Sequence, residues 1–170
     1  MWIPCTVLII RVYRKSLARG TRRFYDQVTK ISRYAIKKES DIFDKEQLQE
    51  AVAAIPDGYT LKKIEENEYN ACLCENWCKD LVSNFKDYDS YEKMGLGFVA
   101  MKEAEIEIDT REDHRRRGLA YACGAKMILE CLDRGIYPSW DAHNLASVGL
   151  AEKLGYHLDY EYLAYEFVLK

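Results

Sequence analysis

Apolar positions along the chain switch between a period of two and a period near four, the marks of strands and of one-sided helices. Thr6 to Tyr13 is rich in β-branched and apolar residues and suits a strand; Arg14 to Arg23, around Gly20, is basic. Asp44 precedes Leu48, Val52 and Ile55, and the run stops at Pro56-Asp57-Gly58, which predicts a capped helix and a turn. Tyr59 to Ile64 alternates as a strand does. Asn67 is placed to cap a helix whose stripe, Leu73, Trp77, Leu81 and Phe85, has four-residue spacing.

The second half is clearer. Gly95-Leu96-Gly97 introduces a strand, Phe98 to Met101, and Glu105 to Thr110 alternates strictly, with Ile106 and Ile108 opposite Glu105, Glu107 and Asp109. A helix opening near Gly118 begins with small residues and ends at Arg134-Gly135. Ile136 to Trp140 reads as a strand, Asn144 opens a short helix ending at Leu154-Gly155, and Tyr156 to Leu169 reads as a closing hairpin or two edge strands. The class is mixed α/β, of the α+β kind, in a 170-residue chain with room for one domain.

Charge divides the chain unevenly. Residues 1–40 hold ten Lys or Arg against Asp26 and Glu39, a balance of +8; the remainder carries −11, for a total of −3. The expected organisation is an N-terminal extension, 1–40, and a domain, 41–170. The overall charge offers no general attraction to nucleic acid or anionic lipid, and Arg11 to Arg23 matches no known nucleic-acid-binding motif, so neither partner is expected. Six cysteines in a chain of this length are no disulfide scaffold. With no secretory pattern or membrane-length apolar run, the expected setting is reduced and cytoplasmic. Cys72, Cys74 and Cys78 invite a metal, but on one continuous helix Cys72 points away from the other two and no histidine is near. Buried thiols, with no metal, are the expectation.

The informative element is a strand, a loop, and a helix opened by Arg115-x-x-Gly118-x-Ala120. A helix N-terminus carries unpaired N–H groups and partial positive charge, glycine admits close approach, and arginine adds charge: the pattern suits a phosphate. Downstream, Asn144-x-x-Ser147-x-x-Leu150 runs on to Lys153-Leu154-Gly155-Tyr156 at the next strand–helix junction. These two motifs, in this order, resemble the GNAT superfamily of N-acetyltransferases over residues 59–170. The stretches Ile106 to Thr110 (IEIDT) and Pro138 to Asp141 (PSWD) are similar to a bacterial branch that includes zwittermicin-resistance-type acetyltransferases.

The resemblance implies a mixed, mostly antiparallel sheet flanked by helices, acetyl-CoA as co-substrate, and an amine of a small molecule or peptide as acceptor; a homodimer is compatible with it. It places the cofactor's pyrophosphate on Arg115, Arg116, Arg117, Gly118, Leu119 and Ala120. Its pantetheine arm falls on the backbone of Ile108, Asp109 and Thr110, and its thioester end near Asn144 and Ser147. Two departures stand out. Ala151 occupies the place of the tyrosine that many members use as general acid. Lys102-Glu103-Ala104 is the whole connection where relatives have another strand and hairpin, so the sheet is one strand short or residues are missing from the chain. Glu107, on the polar face of the central strand, and His143, beside Asn144, are the candidate bases; an imidazole suits proton transfer near neutral pH. The alternative is a non-catalytic acyl-CoA-binding or regulatory module of the same fold.

Overall fold

The computed structural model describes residues 6–11, 25–83, 85–94 and 103–169. Among these, two three-stranded sheets share one hydrophobic core. In the first, β3 (Glu103–Thr110) lies between β1 (Thr6–Arg11) and β4 (Tyr137–Ser139); in the second, β2 (Tyr25–Ile36) lies between β5 (Asp141–Ala142) and β6 (Leu158–Leu169). β1 pairs antiparallel with β3 from Thr6↔Thr110 to Arg11↔Glu105, whereas β3 and β4 are parallel. β2 and β6 form a long antiparallel ribbon, and β5 joins β2 through Tyr34↔Ala142 and Ala35↔Asp141.

These pairings carry the sheets across residue 40, since β1 and β2 both come from the basic N-terminal region. Glu103 and Ala104, expected in the short connection before Glu105, belong instead to β3, which pairs with β1 along one side. The expected strand Phe98 to Met101, and with it the continuity of the chain at Met101 and Lys102, lies outside the described residues.

α1 (Lys45–Ala53) starts on Asp44, whose carboxylate accepts from the N–H groups of Glu46 and Gln47 at 2.9 and 3.1 Å. It packs against α5 (Leu119–Asp133), and α6 (Leu145–Lys153) closes the same core. α5 lies flush with its neighbours because of Gly124, where an added Cβ would stand 2.7 Å from Leu154 Cδ1 and 3.3 Å from Ile108 Cδ1. Ile106 and Ile108 therefore face α5, and alternation turns Glu107 and Asp109 to the opposite side of β3.

Three sequence expectations change. Residues 59–64 form no strand; Lys62 bonds Glu68 at 2.8 Å, and Glu68 also accepts from the Glu65 N–H at 2.9 Å. The single helix expected around Leu73–Phe85 is broken into α2 (Glu66–Leu73) and the one-turn α3 (Lys79–Val82), with α4 (Tyr88–Met94) after it. The break folds Cys78 back toward Cys72, so these two are buried and Cys74 is exposed, the reverse of the grouping a continuous helix gives. Tyr69, Cys72, Cys78 and Val82 centre a second apolar cluster that includes Trp77 and Phe85. Finally, the tail is one twelve-residue strand, not a hairpin, because β2 supplies a partner along its length.

Gly124→Val is expected to destabilise the fold by about 2 kcal/mol, since the larger side chain must displace Leu154 or separate α5 from β3. Urea unfolding measures the loss; unchanged stability would contradict the close approach.

Candidate active site

The two sheets part company within a single strand. β3 and β4 pair at Glu103↔Tyr137, Ala104↔Pro138 and Glu105↔Ser139, and there the parallel ladder ends. From Trp140 the chain turns into β5 and pairs with β2 instead. Ile106–Thr110 consequently pair with β1 alone among the described strands. Backbone groups on the other edge of β3 face the divergence. Trp140 drives the departure: its buried ring packs on Tyr156 with centroids 5.6 Å apart, and its indole N–H donates to Ser147 Oγ at 3.1 Å. Tyr156 O–H donates to the Pro138 carbonyl at 2.7 Å and ties the chain just past α6 to the strand just before it leaves. Burial pushes that phenol's pKa upward, so it remains a donor.

At the end of β3, one 3-10 turn (Glu112–His114) leads into the loop before α5. Arg116 and Gly118 both adopt left-handed backbone, with φ of 62° and 81°. An added Cβ at Gly118 would meet nothing within 4 Å, so the space over the helix start is open. No side chain caps α5, which leaves the amides of its first turn and its positive end to an approaching anion.

The arginines divide their work. Arg115 donates to the Thr110 carbonyl at 3.1 Å and fastens the loop to β3. Arg117 donates to Tyr59 Oη at 2.8 Å and the Asp113 carbonyl at 3.1 Å. Arg111 grips both oxygens of Asp113, at 2.7 and 3.0 Å, holding its carboxyl below the usual range, and also meets His114 Nε2. His114 Nδ1 is 2.8 Å from Tyr59 Oη. Arg116 is exposed and makes no side-chain bond among the described residues, so it is the arginine free to meet a ligand. Tyr59 and His114 were not singled out in the sequence, because a link across 55 positions leaves no local pattern.

Asn144 caps α6, accepting from the Ser147 N–H at 2.9 Å. With Ser147 accepting the Trp140 indole, both side chains commit an acceptor to the fold and keep a donor: the Asn144 amide N–H₂ and the Ser147 O–H. Leu119 is buried and Ala120 half-buried, so the backbone is what these two can present. Asp109 accepts from the Thr110 N–H at 2.7 Å, while Glu107 is half-buried on the face turned away from α5. His143 is exposed and lies beyond the end of β5. β3 thus leads into the α5 start, and the departing strand leads into the α6 cap.

The family model for GNAT acetyltransferase matches residues 9–105 and 101–165. The chain belongs to this family. The uncharacterized N-acetyltransferase YdfB of Bacillus subtilis (strain 168) is 29% identical over 135 residues, 65% of this chain and 49% of that protein. The crystal structure of a GCN5-related N-acetyltransferase-like protein from Streptococcus suis 89/1591 is similar at 44% identity and a TM-score of 0.74, covering 83% of this chain and 63% of that one. The chain therefore spans about half the length of the curated relative it matches.

Among the described residues no three His, Cys, Asp or Glu side chains gather as a metal set, and no helix is long and apolar enough to cross a membrane. Ser147→Ala is expected to lower stability by about 1–2 kcal/mol by leaving the buried indole N–H unsatisfied. Urea unfolding with tryptophan fluorescence checks it; an unaffected midpoint would mean the indole bond contributes nothing.

Proposed function

We propose that this GNAT family member transfers an acetyl group from acetyl-CoA to an amine of a small molecule or peptide. The observation that carries the reading is the divergence of β3 and β4 after Glu105↔Ser139, beside an α5 start that no side chain caps. The space above Gly118 is open to a diphosphate, and β3 beyond its last rung with β4 lies where an extended arm would run. When bound, acetyl-CoA would supply an acetyl thioester.

The chain's own groups have separable tasks. The amides of Arg116 to Ala120, with the Arg116 side chain, hold the pyrophosphate. Arg115 and Arg117 shape the loop. The backbone of Ile108, Asp109 and Thr110 pairs with the pantetheine arm, and Asn144 and Ser147 offer donors at the far end of the cleft. Glu107 takes the proton of the acceptor ammonium, directly or through water. The likeness of residues 106–110 and 138–141 to the zwittermicin-resistance-type branch supports placement beside it. A reduced, cytoplasmic setting belongs to the same reading, supported by five free cysteines among the described residues.

A second reading, an acyl-CoA binder without turnover, is favoured by one observation. Ala151, at the place of a catalytic tyrosine in many relatives, is fully buried and has no proton to give. Calorimetry with acetyl-CoA, together with thiol release over a panel of amines, separates the two: a binder holds the cofactor without releasing thiol.

Gly118→Glu is expected to abolish acetyl-CoA binding by placing like charge at the helix start, while Arg116→Ala weakens it less because amides carry much of the contact. Circular dichroism confirms that the variants are folded; calorimetric affinity equal to wild type in Gly118→Glu removes the anion site. Glu107→Gln should lower kcat about 100-fold with acetyl-CoA affinity nearly intact. Wild-type turnover with an unchanged pH profile would exclude Glu107 as the base.

A further inference from the structure

The face of the second sheet turned away from the core carries four linked polar side chains: Tyr162, Asp141, Arg33 and His143. Tyr162 on β6 donates to Asp141 Oδ2 at 2.6 Å. Arg33 on β2, directly across from Tyr162, reaches the same carboxylate oxygen at 3.3 Å and the Asp141 carbonyl at 3.5 Å through Nη2. Its other arm, Nη1, is 3.0 Å from His143 Nδ1. All three strands of the sheet contribute, and burial together with the Asp141 bond pushes the Tyr162 phenol up to about 12, so it remains the donor of its pair.

The direction of the last bond follows from chemistry. A guanidinium has only donors, so His143 Nδ1 must accept, and the ring's proton then sits on Nε2. An imidazole in this state has its lone pair occupied and cannot take a proton from a substrate. What it presents to its exposed side is an N–H. Trp140 and Ala142 point into the core, as Ile106 and Ile108 do from β3. Asp141 and Glu107 therefore each turn away from it, and His143, two residues past Asp141, immediately precedes Asn144, which the reading above sets at the thioester end.

We infer that His143 acts in the acyl transfer as a hydrogen-bond donor to developing negative charge, not as a base, and that Arg33 is the positioning residue that fixes its tautomer. The inference rests on the acyltransferase reading above. In that reaction the acceptor nitrogen bonds the acyl carbon, the carbon–sulfur bond breaks with its electron pair left on sulfur, and the nitrogen's proton passes to Glu107 or water. His143 lends its Nε2–H to the negative charge on the acyl oxygen or the departing sulfur and keeps its proton throughout. Arg33, anchored by Asp141 and Tyr162, makes no contact with the reacting atoms.

Two substitutions at His143 separate donor from base. A glutamine side chain retains an N–H donor but cannot act as a base, so H143Q should stay within about tenfold of wild-type kcat while H143A falls about 100-fold. Equal losses in the two folded variants would overturn the donor role. Nitrogen NMR on the labelled, cofactor-free protein at about pH 8.5, where imidazoles are neutral, reads the tautomer without turnover. A single Nε2–H form is expected in wild type and a mixture of forms in R33M. A protonated Nδ1 in wild type, or no change in R33M, would overturn the positioning role. A wild-type protein that binds acetyl-CoA but acetylates no amine removes the acyltransferase reading and the donor role with it, while the NMR result still decides the role of Arg33.

Discussion

A strand that belongs to one sheet for three residues and to another thereafter is the constraint on which the molecule is built. Parallel pairing with β3 would ordinarily continue along β4, since every further rung satisfies two backbone groups. It stops because Trp140 is drawn into the core, held by Tyr156 and by the hydroxyl of Ser147. Tyr156 adds a buried bond to the Pro138 carbonyl immediately before the turn-off. Beyond Glu105, β3 and the departing strand therefore no longer pair with each other. Packing around one indole and one phenol thus creates the chemical opportunity some distance from the residues that use it.

Electrostatics at the neighbouring helix follow a similar division between building and binding. Three consecutive arginines look like a cluster awaiting an anion, but two of them are tied to protein groups, and Arg111 is neutralised by Asp113. Fastening the loop to β3, Tyr59 and the 3-10 turn holds the left-handed backbone of Arg116 and Gly118, so the amides of α5 need not reorganise as charge arrives. Binding to preorganised dipoles of this kind depends more on the loop's shape than on the number of arginines in it.

Features specified within a few residues were legible in the sequence. The Asp44 and Asn144 caps, the extent of α5, its bare glycine start and the alternation of β3 all depend on neighbours in the chain. Features set by distant partners were not. Residues 59–64 alternate correctly yet find no strand beside them, and the stripe from Leu73 to Phe85 has helical spacing but packs as two short helices around Cys72 and Cys78. β1 beside β3 and β2 beside β6 join positions about a hundred or more residues apart. Within the site, the loop and the Asn144 helix could be found by motif. Tyr59, Arg33 and Tyr162 could not, since each acquires a role only when the sheet is assembled.

That assembly links the basic N-terminal region to the chemistry. β1 covers one edge of β3, and β4 pairs with the other only as far as Glu105. β2 receives the departing strand as β5 and, through Arg33, meets the residues that follow it, Asp141 and His143. Without β2 the turn-off at Trp140 would leave unpaired backbone on β5, and the indole's packing alone would have to oppose continued pairing with β3. With β2 present, leaving β3 costs little, because the lost rungs are replaced in the second sheet. The cleft is therefore stabilised by an exchange of partners rather than held open by strain.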